Sequence, residues 1–185
     1  MTAFLETITP YYPIIPLELT RRLQRYHMAS MGFATKGCDA VSASERCLIP
    51  FILFLGLRAA NPPEARNTPL MDEDLNLSMR YAFIELAKLN DALSSLRAGL
   101  LAVVVNIYSM DVNEAMRSFD ATSRLRSRYG QSQDMACSQA HRLIDWSFSQ
   151  VEWGLSAFLD TPHWPTNTML PDEGAFKAAV FTLVI

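Results

Sequence analysis

The sequence contains few of the residues that carry metal and redox chemistry. It has three histidines and three cysteines among 185 residues. The cysteines, Cys38, Cys47 and Cys137, are odd in number and lack a Cys-x-x-Cys pair, which favours a reducing compartment over a disulfide framework. The first residues, MTAFLETITPYYP, lack the basic segment of a secretory signal. We therefore expect a cytoplasmic protein without a metal or other cofactor.

Familiar catalytic motifs are also missing. The chain has no Gly-x-Ser-x-Gly sequence, no glycine-rich phosphate loop and no Glu-x-x-His pair of the kind that binds metals inside helical bundles. The sequence therefore assigns no catalytic, cofactor-binding or metal-binding residue. We expect that the protein is not an enzyme.

Long hydrophobic runs and excess charge are scarce as well. The most apolar run, Cys47–Leu57, has 11 residues. A membrane-spanning helix needs about 20, so this run predicts a buried core helix and no membrane span. The net charge of −3 gives no general attraction to nucleic acid.

Helical periodicity is the strongest pattern that the sequence does contain. From residue 75 to residue 107 apolar side chains recur every three or four positions, which places them on one face of a helix. This stripe consists of Leu75, Met79, Ala82, Leu86, Leu89, Leu93, Leu96, Leu100, Val103 and Ile107. Its unbroken phase predicts one long helix over about residues 71–109. Since no run alternates with the period of a strand, we predict an all-α bundle of about six helices around this central helix.

Prolines and capping residues divide the rest of the chain. Pro10, Pro13 and Pro16 predict an extended arm over residues 1–16. Ser42 and Glu45 have the spacing of a capping box at a helix start. The other predicted helices span about 17–34, 42–60, 111–129, 134–159 and 175–185. We predict one domain over residues 1–185, comprising the arm, a helical body over 17–160 and a proline-broken segment over 161–185 that carries the short apolar helix.

The chain has more large apolar residues than one small helical bundle can readily bury, and exposed apolar patches mark partner surfaces. The surplus residues, which we predict to contact a partner, are Tyr11, Tyr12, Trp153, Trp164 and Phe181. The leading hypothesis is therefore a non-enzymatic protein-binding module, such as an adaptor, an inhibitor or a subunit of a larger assembly. The partner is another protein or a second copy, and a homodimer is the simplest arrangement. The first turns of the long helix, about residues 72–91, are a further candidate surface.

Arginines give a first alternative. Arg117, Arg124 and Arg128 share a helix face at spacings of seven and four, with Arg126 nearby. Guanidinium groups on one surface are what phosphate or nucleic-acid binding requires. The competing interpretation is a solvated face whose arginines pair with neighbouring acids.

A histidine gives a second alternative. His141 and Asp145 lie one helical turn apart on a polar stripe that also includes Asp134 and Glu152. Such a pair suits a base oriented by a carboxylate, or part of a metal site in a small helical enzyme. The competing interpretation is an ordinary solvated helix face.

Overall fold

The computed structural model describes residues 1–33, 40–60, 69–129 and 139–158, and every regular element in these segments is helical. The predicted all-α class is thereby confirmed. The predicted short helix at 175–185 lies outside the described residues. The α-helices are α1 (Leu17–Ser30), α2 (Ala43–Arg46), α3 (Ile49–Ala60), α4 (Pro69–Leu89), α5 (Ala92–Tyr108), α6 (Val112–Tyr129) and α7 (Gln139–Phe158).

Helix α5 lies at the centre of the described fold. Eleven of its 17 residues are buried, and it contacts α3, α4, α6 and α7. A helix that is apolar nearly all round has no side that favours water, so other helices must cover it on several sides. Helix α7 covers one side of α5 with a stripe of buried residues, Ile144, Phe148, Val151 and Leu155.

The prediction of one long helix over 71–109 is wrong, because the chain breaks between α4 and α5. Asn90 has a positive φ of 52°, which ends α4, since asparagine tolerates this left-handed conformation better than most residues. Asp91 is extended and caps α5, where its Oδ1 accepts a hydrogen bond of 3.0 Å from the Ser94 N–H. Two shorter helices, α4 and α5, therefore replace the predicted long helix.

Helices α5 and α6 approach each other closely. The contact centres on Gly99 and Thr122, where a Cβ added to the glycine would lie 2.7 Å from the threonine Cγ2. Farther along the pair, the Asn106 Nδ2 donates a hydrogen bond of 3.1 Å to the Ser118 Oγ. Glycine is required at position 99 because any side chain there would occupy the space of Thr122.

The N-terminal segment differs from the predicted extended arm. Residues Phe4–Ile8 form one turn of π-helix that packs on α3, and turns and irregular chain follow up to Pro16. Pro10, Pro13 and Pro16 all come after this turn, so they do not prevent it. The buried side chains of this segment are Phe4, Ile8, Tyr12, Ile14 and Ile15. The segment is thus part of the core rather than a separate arm.

The predicted capping box at Ser42 is present. The Glu45 N–H donates to the Ser42 Oγ at 3.1 Å, and the Ser42 N–H donates to the Glu45 Oε2 at 2.9 Å. The helix that it starts is short, because Cys47 and Leu48 separate α2 from α3. This break comes just before Pro50, which sits in the first turn of α3, where a proline is tolerated.

Candidate functional site

Helix α4 has apolar residues on two opposite faces. Its inner face packs into the core through Met79, Ala82 and Leu86. Its outer face carries Leu77, Tyr81 and Ile84, whose spacings of four and three residues align them on the opposite side of the helix. These three side chains are 51 %, 59 % and 51 % exposed. We call Leu77, Tyr81 and Ile84 the α4 outer face.

Charged residues border the α4 outer face. Arg80, Glu85 and Lys88 are all exposed, and the Lys88 Nζ lies 2.6 Å from the Glu85 Oε1. An apolar centre with a polar border is the usual composition of a protein contact surface. The stripe falls within the region, about residues 72–91, that the sequence indicated as a partner surface. The sequence does not single out these three residues, because the inner stripe has the same helical periodicity and contains more apolar positions.

A groove lies beside the outer face, between α4 and α6, and α5 forms its floor. Its volume is about 280 Å³. Its lining includes Phe83, Ala87, Gly99, Ala121, Leu125 and Tyr129. Phe83 is held against the core by an edge-on contact with Phe51, at 5.3 Å between ring centroids. We call this the α4–α6 groove.

The aromatic residues predicted to contact a partner have different environments. Tyr12 is 3 % exposed, and burial raises the pKa of its hydroxyl to about 12. The prediction that Tyr12 contacts a partner is therefore wrong, because its side chain belongs to the core. Tyr11 and Trp153 are partly buried, and Tyr11 packs against the same core. Trp164 and Phe181 lie outside the described residues.

The four arginines of the predicted phosphate-binding face all lie on α6 and are exposed. Three of them form ion pairs with carboxylates. Arg117 lies 3.3 Å from Glu114, Arg124 lies 2.6 Å from Asp120, and Arg126 lies 2.8 Å from Asp145. Arg128 is the fourth. This arrangement matches the interpretation of a solvated face whose charges are largely balanced.

Arg126 has a structural role that the sequence did not indicate. Its guanidinium carbon lies 4.8 Å from the ring centroid of Phe148 on α7, in addition to its ion pair with Asp145. Phe148 also packs against Phe119 of α6, with ring centroids 5.9 Å apart. One arginine therefore joins α6 to α7 through both a charge and an aromatic ring.

Replacing Arg126 with alanine is expected to lower the free energy of unfolding by about 1 kcal/mol, from the lost cation–π contact and exposed ion pair. Chemical denaturation would measure the change. Arg128→Ala, two residues away on the same helix, is the matched control and should leave stability within about 0.5 kcal/mol of the parent. Equal stability of the two variants would contradict the joining role of Arg126.

The pair of His141 and Asp145 has a backbone placed on α7, but only the Asp145 side chain is among those described. That carboxylate pairs with Arg126 of another helix, so it already has a cationic partner. Within the described segments no group of three or more histidine, cysteine, aspartate or glutamate side chains lies close enough to hold a metal ion. Likewise, none of the helices described is both long and apolar enough to cross a membrane.

A buried polar cluster surrounds the start of α5. The Ser44 Oγ of α2 donates a hydrogen bond of 2.5 Å to the Asp91 Oδ2, and the Ser94 Oγ donates to the same oxygen at 3.1 Å. Arg97 is 6 % exposed, and burial lowers its pKa while the charges of Asp91 and Glu45 oppose that effect. The Nε–H of Arg97 has no hydrogen-bond partner among the described residues. Because its hydrogen bonds and charges connect α2 with the start of α5, we interpret this cluster as a structural junction of these two helices.

No family model matches this chain, and no curated protein or solved structure matches it either.

Proposed function

We propose that the chain is a non-enzymatic protein-binding module, acting as an adaptor, an inhibitor or a subunit, and that the α4 outer face is its main contact surface. The observation that carries the proposal is the half-exposed stripe of Leu77, Tyr81 and Ile84. Isolated exposed apolar residues are common, but an aligned stripe on one helix is a surface that a partner helix or sheet can cover.

The energetic basis is the burial of these side chains. Full burial of a large apolar side chain contributes about 1.5–3 kcal/mol relative to exposure. Since each of the three is about half exposed, their joint burial in a complex supplies a few kcal/mol before the entropy of association is subtracted. The bordering charges of Arg80, Glu85 and Lys88 would then orient the partner more than hold it.

The other two hypotheses have less support. Phosphate or nucleic-acid binding would compete with the carboxylates that Arg117, Arg124 and Arg126 already hold. A metalloprotein or enzyme based on His141 would have to use Asp145, whose carboxylate is engaged by Arg126. Both alternatives therefore depend on side chains that are already in ion pairs, whereas the apolar side chains of the α4 outer face are exposed.

The proposal can be tested by placing a photoreactive phenylalanine at Tyr81 and irradiating cells that produce the protein. We expect one discrete covalent adduct, because a contact surface keeps the same neighbour close to the probe. An adduct of twice the 20.8 kDa chain mass would identify a second copy as the partner. The adduct should disappear when Leu77→Glu and Ile84→Glu are added, since both remove apolar contact area.

The matched control carries the same probe at Ser127, which is exposed on α6. This position should give no discrete adduct. The double glutamate variant must retain its helical circular dichroism and melting temperature, which is expected because both sites are about half exposed. Absence of an adduct at Tyr81, or the same adduct from Ser127, would exclude the α4 outer face as the contact surface.

A further inference from the structure

An arginine lies beside each wall of the α4–α6 groove. Arg80 of α4 and Arg128 of α6 are exposed, and neither makes an ion pair with any described residue. The neighbouring Arg117 and Arg124, by contrast, hold Glu114 and Asp120. These two arginines are therefore the free cations of this side of the molecule, as far as the described residues extend.

Helical spacing places both arginines at the edge of the groove. Arg80 precedes the lining residues Phe83 and Ala87 by three and seven positions, so it shares their side of α4. Arg128 follows Leu125 by three positions and Ala121 by seven, so it shares their side of α6. The groove thus combines an apolar interior with a basic edge on each wall.

Acidic residues on the same sides lie farther away. Glu73 precedes Phe83 by ten positions on α4, which corresponds to about 15 Å along a helix. Glu114 precedes Ala121 by seven positions on α6 and is already paired with Arg117. Neither glutamate therefore neutralises the basic edge at the centre of the groove.

The size and shape of the groove indicate the class of occupant. Its volume of about 280 Å³ is just below the range of about 300–1,000 Å³ that is typical of small-molecule pockets. It suits a few apolar side chains projecting from a longer ligand. Because its walls are two helices over a third, a helix lying between them would complete a four-helix packing arrangement.

We propose that the α4–α6 groove binds an amphipathic helix of a partner protein that carries aspartate or glutamate beside its apolar face. This inference rests on the proposed protein-binding function and specifies the partner. The apolar residues of the partner helix contact Phe83, Leu125 and Tyr129, and its carboxylates pair with Arg80 and Arg128. The complementary charge favours acidic helices over basic ones and accelerates their association.

Two labelled synthetic peptides test the inference. Both are 18-residue amphipathic helices with the same leucine face, one bordered by glutamates and the other by lysines. Fluorescence anisotropy with the full chain should give at least about tenfold tighter binding of the glutamate peptide, a difference of about 1.4 kcal/mol. Raising the salt concentration should reduce that preference, because exposed charge pairs are screened.

Charge reversal and blocking variants locate the site. Arg80→Glu with Arg128→Glu should reverse the preference so that the lysine peptide binds more tightly. Arg21→Glu with Arg142→Glu changes the net charge equally at exposed positions outside the groove and should keep the original preference. Ala121→Gln, which fills the groove with a neutral side chain at an exposed position, should weaken the glutamate peptide about tenfold or more.

The inference is overturned if neither peptide binds, if both bind equally, or if Ala121→Gln has no effect. A groove covered by a second copy or by residues 159–185 would give the first of these results. If the Tyr81 probe still forms its adduct, only the acidic-helix inference fails. If that adduct is missing too, the protein-binding proposal fails with it.

Discussion

Gly99→Val is expected to lower the free energy of unfolding by about 1–3 kcal/mol or more, because it overpacks the contact between α5 and α6. A Cβ at position 99 would lie 2.7 Å from the Cγ2 and 3.1 Å from the Cβ of Thr122. Backbone atoms of two packed helices would have to separate to relieve that overlap. Urea denaturation followed by circular dichroism would measure the loss.

A second glycine provides the matched control. Gly56 is also buried in a helix, but a Cβ there would have its nearest neighbour, the Phe4 Cβ, at an ordinary 3.4 Å. Gly56→Ala should be neutral or slightly stabilising, since alanine favours a helix by about 1 kcal/mol relative to glycine. The double variant Gly99→Ala with Thr122→Ala should lose less stability than the sum of its single variants. Additive losses would show that the two residues do not collide.

Asp91→Ala is expected to destabilise the fold by about 2–4 kcal/mol, which combines a lost helix cap with buried groups left without an acceptor. The Asp91 carboxylate accepts hydrogen bonds from the Ser94 N–H, the Ser94 Oγ and the Ser44 Oγ. It also supplies one of the negative charges near the buried Arg97. Thermal and urea denaturation would measure the effect.

Asp111 is a suitable control for this substitution, because it caps α6 in the same way. Its Oδ1 accepts a hydrogen bond of 3.0 Å from the Glu114 N–H, but it is exposed and has no buried cluster around it. Asp111→Ala should therefore cost only about 1 kcal/mol. If the two variants lose equal stability, the cluster around Asp91 contributes nothing beyond the cap.

The contribution of Asp91 should also depend on pH. Burial raises the pKa of its carboxyl, but hydrogen bonds from Ser44 and Ser94 outweigh burial and hold the pKa below its ordinary value. The ionised carboxylate therefore stabilises the fold fully above the unfolded-state pKa of about 3.9, and this stabilisation is lost as the pH falls through the lower folded-state value. The stability difference between the parent and Asp91→Asn should be constant near neutral pH and shrink below about pH 4.

Periodicity predicted the helical class but not the break at Asn90. The apolar stripe kept its phase through the junction because α5 is buried on nearly every side, so its sequence fits almost any phase. The break was signalled instead by local chemistry. Asn90 is a residue type that tolerates the left-handed conformation at a helix end. Asp91 is a residue type that caps a helix start, and it accepts a hydrogen bond from the backbone N–H of Ser94, three residues later.

Residue type alone predicts the candidate surface less well than periodicity predicts the helical class. Its residue type predicts Tyr12 to be a surface residue, yet Tyr12 is buried because the N-terminal turn packs on α3. The sequence does not distinguish Leu77, Tyr81 and Ile84 as a surface, because a second apolar stripe on one helix becomes evident only when the burial of the first is known. The pairing of Arg126 with Asp145 of α7 is a long-range contact, which no spacing along α6 could reveal.

The close contact of α5 with α6 also bears on the order in which the chain folds. These two helices are joined by only three residues, Ser109, Met110 and Asp111, and α5 contacts α6 more extensively than any other described helix. A short connection makes loop closure inexpensive in entropy, and local contacts are associated with fast folding. We therefore expect the α5–α6 hairpin to form early in folding and α3, α4 and α7 to pack on it afterwards.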